Sequence, residues 1–284
     1  MIKDRNIADD AEIAMHKVLG AGGLPLRHNA YILYVDGDNG SDANDGKSPV
    51  NAMKTIQAAV TAAGAWGRIY VFPKSMATGA TDPSSYAETI IIPATHDGLS
   101  IIGVSTGLTQ GGLPQIKKGS GSTAQITVRA PGCLLANLGI NGVDATGGGI
   151  LLDDDSSTKT AFGTTIANCH IKNCQGSGKA STGGGIMASG SPWQVRISGC
   201  RFYKNRAGIT IMNTSYSVPQ DWVIEDCTLG GDAVTSTVVD ADIYVAADGC
   251  LGLEIRRCDF LTPDGVNYAS GDADRYIKLD TGCV

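Results

Sequence analysis

The longest run of carboxylates in the chain, Asp153-Asp154-Asp155, is the first place to look for acid–base chemistry. Cleaving a glycosidic linkage takes two groups, one giving a proton while the other takes one or attacks, and neighbouring carboxylates can fill both roles. The cations that a fold could bring to the triplet are Lys172, Lys204, Arg206, Arg256 and Arg257. Each has a plainer reading. The triplet leads into Ser-Ser-Thr, as a solvated turn would, and Arg256 and Arg257 fill two places of a motif that are polar in its other copies. No acidic pair recurs at matched positions of neighbouring copies, so no catalytic residue is assigned.

Metal and cofactor chemistry fare no better. Asp36, Asp38, Asp42 and Asp45 alternate as calcium ligands can, but no Gly at the sixth place and Glu at the twelfth complete an EF-hand. Asx turns, in which the side chain bonds its own backbone, account for the same composition. Gln175-Gly-Ser-Gly-Lys-Ala180 and Asp45-Gly-Lys-Ser48 each lack glycines or hydroxyls that a phosphate loop needs. The histidines His16, His28, His96 and His170 are scattered, with no nucleophile at a recognisable spacing. Asn213-Thr-Ser215 is a formal glycosylation sequon, without consequence unless the chain is secreted. No cofactor or metal site is assigned.

Four of the eight cysteines share one place in a repeat, and this repeat must position everything else. Ile166-Ala-Asn-Cys169-His-Ile171, Ile197-Ser-Gly-Cys200-Arg-Phe202, Ile224-Glu-Asp-Cys227-Thr-Leu229 and Ile255-Arg-Arg-Cys258-Asp-Phe260 are copies of one another. An earlier copy, Leu135-Ala-Asn-Leu138-Gly-Ile140, carries Leu in place of Cys. The steps between copies are 31, 31, 27 and 31 residues. A fixed period in this range marks stacked units, none of which can bury its apolar side alone. The segments are too short for helices and lack a helical stripe. A second apolar run follows each copy: Gly149–Leu152, Gly185–Met187, Gly208–Ile211, Asp242–Val245 and Tyr276–Leu279. Each period therefore reads as one coil of a parallel β-helix, all-β and single-stranded. About seven or eight coils would stack at about 4.8 Å into a rod about 35–40 Å long. Cys169, Cys200, Cys227 and Cys258 would form a buried, reduced column, since Cys packs as a small hydrophobe; disulfides or a metal are the other reading.

Composition sets further bounds. Gly is abundant at 38 residues and charged residues are 18%, which suits a dry solenoid of short strands and tight turns. A net charge of −6 with no Lys/Arg run argues against nucleic acid as a partner. No apolar stretch is long enough to span a membrane. The N-terminus lacks the layout of a signal peptide, so the expected route out of a cytoplasm, if any, is cell lysis.

Residues 1–28 differ in character from the rest. Asn6-Ile-Ala-Asp-Asp-Ala-Glu-Ile-Ala-Met-His-Lys17 resembles a segment that recurs in bacteriophage tail fibres and other virion surface proteins. The resemblance implies an attachment arm, with Ile2, Ile7, Ile13, Met15, Lys17 and Leu19 making its contacts. Tyr34-Val-Asp-Gly-Asp-Asn-Gly-Ser-Asp-Ala-Asn-Asp-Gly-Lys-Ser-Pro49, with Asn51–Ala63 after it, is similar to the N-terminal lead-in of right-handed parallel β-helix proteins of the pectate-lyase-like superfamily. Met53, Ile56, Ala59, Val60 and Ala63 lie at helical spacing and would cover the open edge of the first coil. The expected organisation is an arm over 1–28, a leading strand, Asx-rich loop and capping helix over 29–66, and a β-helix body over 67–284 whose first coil strand is Arg68–Phe72.

That superfamily includes enzymes that cut acidic polysaccharides, using Asp-held calcium with an Arg or Lys base, or close Asp pairs. Here the body is short, and Trp66, Trp193 and Trp222 lie in three separate segments, which leaves little platform for sugar stacking. The sequence favours a non-enzymatic virion surface protein, a trimeric capsid decoration or tail-associated body. Its partners would be two further copies, a major capsid or other virion protein, and a host-surface glycan. The alternatives are a phage depolymerase, lyase or glycosidase, with Asp153–Asp155 and Lys172 or Arg206 as its site, and a glycan-binding adhesin without catalysis.

Overall fold

The computed structural model describes residues 31–105, 112–117, 124–142, 147–154, 160–176, 184–189, 192–212, 218–230, 241–246, 249–261 and 276–279. Among them the chain winds through three parallel sheets. Sheet A contains β1 (Ile32–Val35), β2 (Arg68–Val71), β5 (Ser100–Gly103), β8 (Leu134–Ala136), β11 (Thr165–Ala167), β14 (Arg196–Ser198), β17 (Val223–Glu225) and β20 (Glu254–Arg256). Sheet B contains β3 (Ser85–Tyr86), β6 (Gln115–Ile116), β9 (Gly139–Asn141), β12 (His170–Lys172), β15 (Arg201–Tyr203), β18 (Thr228–Gly230) and β21 (Asp259–Leu261). Sheet C contains β4 (Ile90–Ile92), β7 (Ala124–Val128), β10 (Gly148–Leu152), β13 (Gly184–Ala188), β16 (Ala207–Ile211), β19 (Ala241–Val245) and β22 (Ile277–Leu279). Each strand pairs with its equivalents in the coils before and after, which is the parallel β-helix that the repeat implies.

The repeated hexapeptide does not lie on one strand. A sharp corner divides it, so that its Ile belongs to sheet A and its Phe, Leu or Ile to sheet B, with Cys between them. The residue that makes the corner stands just before Cys and has positive φ: Asn137 (56°), Asn168 (52°), Gly199 (61°), Asp226 (53°) and Arg257 (50°). Asn, Asp and Gly reach this conformation most readily. A backbone ladder ties the corners together, with Asn137 N–H donating to Ala167 O, Asn168 to Ser198 O, Gly199 to Glu225 O and Asp226 to Arg256 O at 2.9–3.2 Å. A second left-handed column precedes sheet A: Trp66, Gly98, Gly132, Gly163, Gln194, Asp221 and Gly252.

Between corners, alternate residues point inward and stack on themselves. Ile69, Ile101, Leu135, Ile166, Ile197 and Ile224 line the core from sheet A, and Ile126, Ile150, Ile186, Ile209 and Ile243 from sheet C, all with no exposed surface. Each such side chain is worth about 1.5–3 kcal/mol of burial. Gly149, Gly185 and Gly208 form a column in which an added Cβ would lie 2.1–2.7 Å from the next coil's carbonyl oxygen. The next member of that column, level with Gly208, is Asp242.

The first rung is earlier than the expected Arg68–Phe72. β1 pairs with β2 residue for residue, Ile32 with Arg68 through Val35 with Val71, although a loop and a helix separate them in sequence. That helix, α1 (Ile56–Ala63), packs on β1, β2 and β4 and buries Ile56, Ala59, Val60 and Ala63, as the spacing predicts. Thr55 caps it, accepting from Ala58 N, and the Glu88 carboxylate accepts from Ile56 N and Gln57 N at 2.9 and 2.8 Å. An acidic group at this end also meets the positive pole of the helix.

Candidate functional site

The described chemistry-bearing residues named from sequence fall in separate places, and Asp153, Lys172, Arg256 and Arg257 are each held by a partner from elsewhere in the coil stack. Asp153 directly follows β10, where Arg129 Nε reaches its Oδ2 at 3.0 Å and Ser189 Oγ reaches its Oδ1 at 3.2 Å. These two partners follow β7 and β13, so Asp153 braces three successive rungs. Asp154 bridges back to Thr160, and Asp155 lies outside the described residues. Lys172 stands on sheet B, beyond the other edge of sheet C, with Nζ 2.5 Å from Asp82 Oδ2. Lys204 lies with Nζ 5.5 Å from the centroid of the Tyr203 ring. Asp153 and Asp154 follow a sheet C strand, Lys172 ends a sheet B strand and Arg206 precedes a sheet C strand, so these described residues stand at different corners of the coil.

Arg256 and Arg257 belong to a charge ladder on sheet A. Glu225, with its side chain 5% exposed, accepts from Arg196 on the rung before and from Arg256 Nε at 2.8 Å and Arg257 Nη2 at 3.1 Å on the rung after. Arg257 also forks onto Asp226, Nε to Oδ1 at 2.6 Å and Nη2 to Oδ2 at 2.8 Å. The hydrogen bonds from Arg256 and Arg196 hold the Glu225 carboxyl below its usual range, and that from Arg257 does the same for Asp226. The bidentate fork is the strong geometry for such a pair.

The N-terminal loop uses its acids as local ties. Asp36 takes Asp38 N and Asn39 N, Asp42 takes Lys54 N and Thr55 N, and Asp45 takes Lys47 N. Among described residues no group of three His, Cys, Asp or Glu is placed to hold a metal ion. Asp38 Oδ2 also binds Ser75 N at 2.6 Å and Ser75 Oγ at 2.7 Å, fastening the start of the segment between β2 and β3. Those two bonds depress the Asp38 pKa. Burial raises that of Glu88 against its two helix N–H donors. Tyr86 closes the segment's other end, its hydroxyl donating to Phe72 O and accepting from Gly37 N. Residues 73–84, within the stretch Pro73 to Ser85 that the sequence marks as a loop insertion, thus form a strap from the N-terminal loop to the Asp82–Lys172 contact on sheet B, a path that no local sequence pattern signals.

Cys169, Cys200 and Cys227 are buried at successive corners, and Cys258 is half-buried; all four are free thiols. Their Sγ atoms point at backbone carbonyls of the preceding coil, at Leu135, Ile166, Ile197 and Ile224, at 3.7–3.9 Å. Burial pushes the Cys200 thiol well up. Trp222 is buried with Nε1 donating to Pro192 O at 2.8 Å, whereas Trp193 is exposed. The residues assigned to attachment, Ile2 to Leu19, lie outside the described residues.

Residues 132–262 match the family model described as "Right handed beta helix region". No curated protein matches the sequence. Among solved structures, alginate lyase from Paenibacillus sp. str. FPU-7 is similar with a TM-score of 0.53 at 16% identity, over 79% of this chain and 70% of that one. A rhamnogalacturonan lyase is similar with a TM-score of 0.51 at 15% identity, over 90% of this chain and 63% of that one, so the chain spans less than two thirds of its length. The Dettilon tailspike protein gives a TM-score of 0.37 at 12% identity, over 84% of this chain and 48% of that one. At such identities the likeness is one of fold. With three parallel sheets and one strand of each per coil, the chain is a right-handed parallel β-helix.

Proposed function

We propose that this chain is a non-enzymatic structural protein of a bacteriophage particle, a rigid body on the virion surface that is held by residues 1–28 and stands as a trimer on the capsid or tail. The observation that carries the reading is the use made of the outer-face carboxylates. Asp82, Asp153, Glu225 and Asp226 each accept from a cation elsewhere in the coil stack. An acid or base engaged in this way braces the rod. The first coils of sheet A also offer a surface for lateral packing, with Tyr34 stacked on Tyr70 at 5.9 Å and Ile32, Val104 and Tyr31 exposed around them. Three copies related by a rotation axis would bury that strip once each.

A second reading, a β-helix that cuts surface glycans, has its own support in the two lyases that share this fold over most of the chain. One experiment separates them. The full chain is incubated with a panel of acidic and neutral polysaccharides, and polymer length is followed by size-exclusion chromatography. Unchanged length throughout supports the structural role; shortening of any polymer replaces it with the enzymatic one.

A further inference from the structure

The column that Asp242 occupies is built for residues without a side chain. A Cβ on Gly149, Gly185 or Gly208 would meet the carbonyl oxygen of the next rung. At Gly185 and Gly208 it would also aim at Ile171, Phe202 and Leu229, which face inward from sheet B. Asp242 is level with Gly208, one rung further on, so the same direction carries a carboxyl toward the core at the corner between sheets C and B. Its Oδ2 lies 3.4 Å from the place a Cβ on Gly230 would take, a place that Leu261 O also borders. Among the described residues no hydrogen bond or ion pair reaches this carboxyl. The rung beyond it is the last described one. Ile243 and Val245 of β19 are buried, but Ile277 and Leu279 of β22 are 42% and 59% exposed, and Ile255 and Phe260 of β20 and β21 are only partly buried. Phe260 and Tyr276, with ring centroids 5.5 Å apart, join β21 to the start of β22 in this rung.

Among the described residues β20, β21 and β22 pair only with β17, β18 and β19. A rung paired on one side is the part of a stack that opens at least cost. A charge at an enclosed corner demands water, and lifting the last rung supplies it. We propose that Asp242 is a pH-sensitive latch for the last coil: protonated, it lets β20, β21 and β22 close over the end of the core, and ionised, it releases them. Burial raises this carboxyl to about 7. A group that the closed form holds protonated favours closure fully below its open-form value, about 4, loses that effect as pH rises from about 4 to 7, and contributes none above. The strands around Asp242 bring no competing charge to the corner. β16 and β18 carry none, although Arg206 precedes β16. Asp259 of β21 stands beside the inward Phe260 and faces outward, and Lys278 of β22 lies over the Tyr244 ring at 5.5 Å. Glu225 and Asp226 of the sheet A ladder are depressed and titrate below this window. The latch holds whichever role the rod serves.

The test is hydrogen–deuterium exchange of the full chain at pH 5 and pH 8, read by peptide mass spectrometry, with each rate divided by the chemical exchange rate at that pH. On this scale the β20 and β21 peptides should exchange about tenfold or more faster at pH 8. Peptides over β10 and β13, in the middle of the stack, should keep their protection at both. Asp242→Asn, which keeps the shape without the charge, and Asp242→Gly, which restores the residue of the column, should each remove the difference. Equal corrected exchange of β20 and β21 at the two pH values in the unsubstituted chain would overturn the latch. So would an undiminished rise in both variants, which would assign the effect to another group. A rise shared equally by β10 and β13 would overturn it too, since the whole stack and not its last coil would then be opening.

Discussion

The ammonium of Lys172 lies 2.5 Å from the carboxylate of Asp82, ninety residues earlier in the chain. One end of this contact is a sheet B strand and the other is the strap over residues 73–84. Both side chains are more than three-quarters buried, and a charged hydrogen bond in such a place contributes about 1.5–3 kcal/mol.

Cutting that contact should free the strap without unwinding the coils. Asp82→Asn is expected to speed proteolysis between residues 74 and 84 and to lower Tm by a few degrees, about 1–2 kcal/mol of stability. Limited proteolysis with mass spectrometry locates the cleavage. Cleavage elsewhere, or none, would mean that the strap is held by its base alone, through Asp38 and Tyr86.

The sheet A ladder sets an acid limit. Glu225 and Asp226 ionise more readily folded than unfolded, because Arg256, Arg196 and Arg257 donate to them. A depressed carboxyl contributes stability that is complete above its unfolded pKa, about 4, and is lost as pH falls through the lower folded value. Thermal melts should thus be flat in this contribution near neutrality and fall off below about pH 4. Glu225→Gln should lower Tm at pH 7 and flatten that acid fall. A variant with a parallel, undiminished fall would assign the acid sensitivity to other groups.

Asp242 works in the opposite direction. It occupies the column of Gly149, Gly185 and Gly208, and burial pushes its carboxyl up to about 7. The folded state then holds the proton more tightly than the unfolded chain does. Stability from this group is present at acid pH, declines as pH rises from about 4 to 7, and stays lost above that. Asp242→Asn should stabilise the protein by on the order of 2–4 kcal/mol at pH 8 and by close to nothing at pH 4. Equal Tm for the two proteins at pH 8 would contradict this.

The buried members of the cysteine column, Cys169, Cys200 and Cys227, should be chemically silent. Burial raises the thiols of Cys174 and Cys200, and the hydrogen bond with Cys200, then burial, raises that of Cys227, so little thiolate forms at pH 8 and access is closed. Among the described cysteines, a thiol reagent should label Cys250 and Cys258, both partly exposed, well before Cys133, Cys169, Cys174, Cys200 and Cys227, which should react only on unfolding. Rapid labelling of Cys200 in the native protein would show that the corner opens.

The coil repeat was legible because one physical demand recurs in every turn. An apolar residue enters the core, a small or Asx residue makes a left-handed corner, and a buried Cys follows. What the pattern hid was that the corner lies inside the motif, which sends its two ends to different sheets. Arg257 shows why: a long side chain occupies the left-handed corner position because Asp226 on the coil below holds it. β1 escaped notice as a first rung because its partner β2 lies beyond a loop and a helix, and register across such a gap has no local signal. The path of the strap shares that origin. Asp82 and Lys172 are ordinary surface residues in sequence and become neighbours only when the coils stack.

The measurement that bears most directly on the proposed role is the solution mass, by light scattering, of the full chain and of a version that starts at His28. The account predicts a trimer in both, with the assembly surface on the β-helix and the arm left to attach. Monomers in both would contradict it.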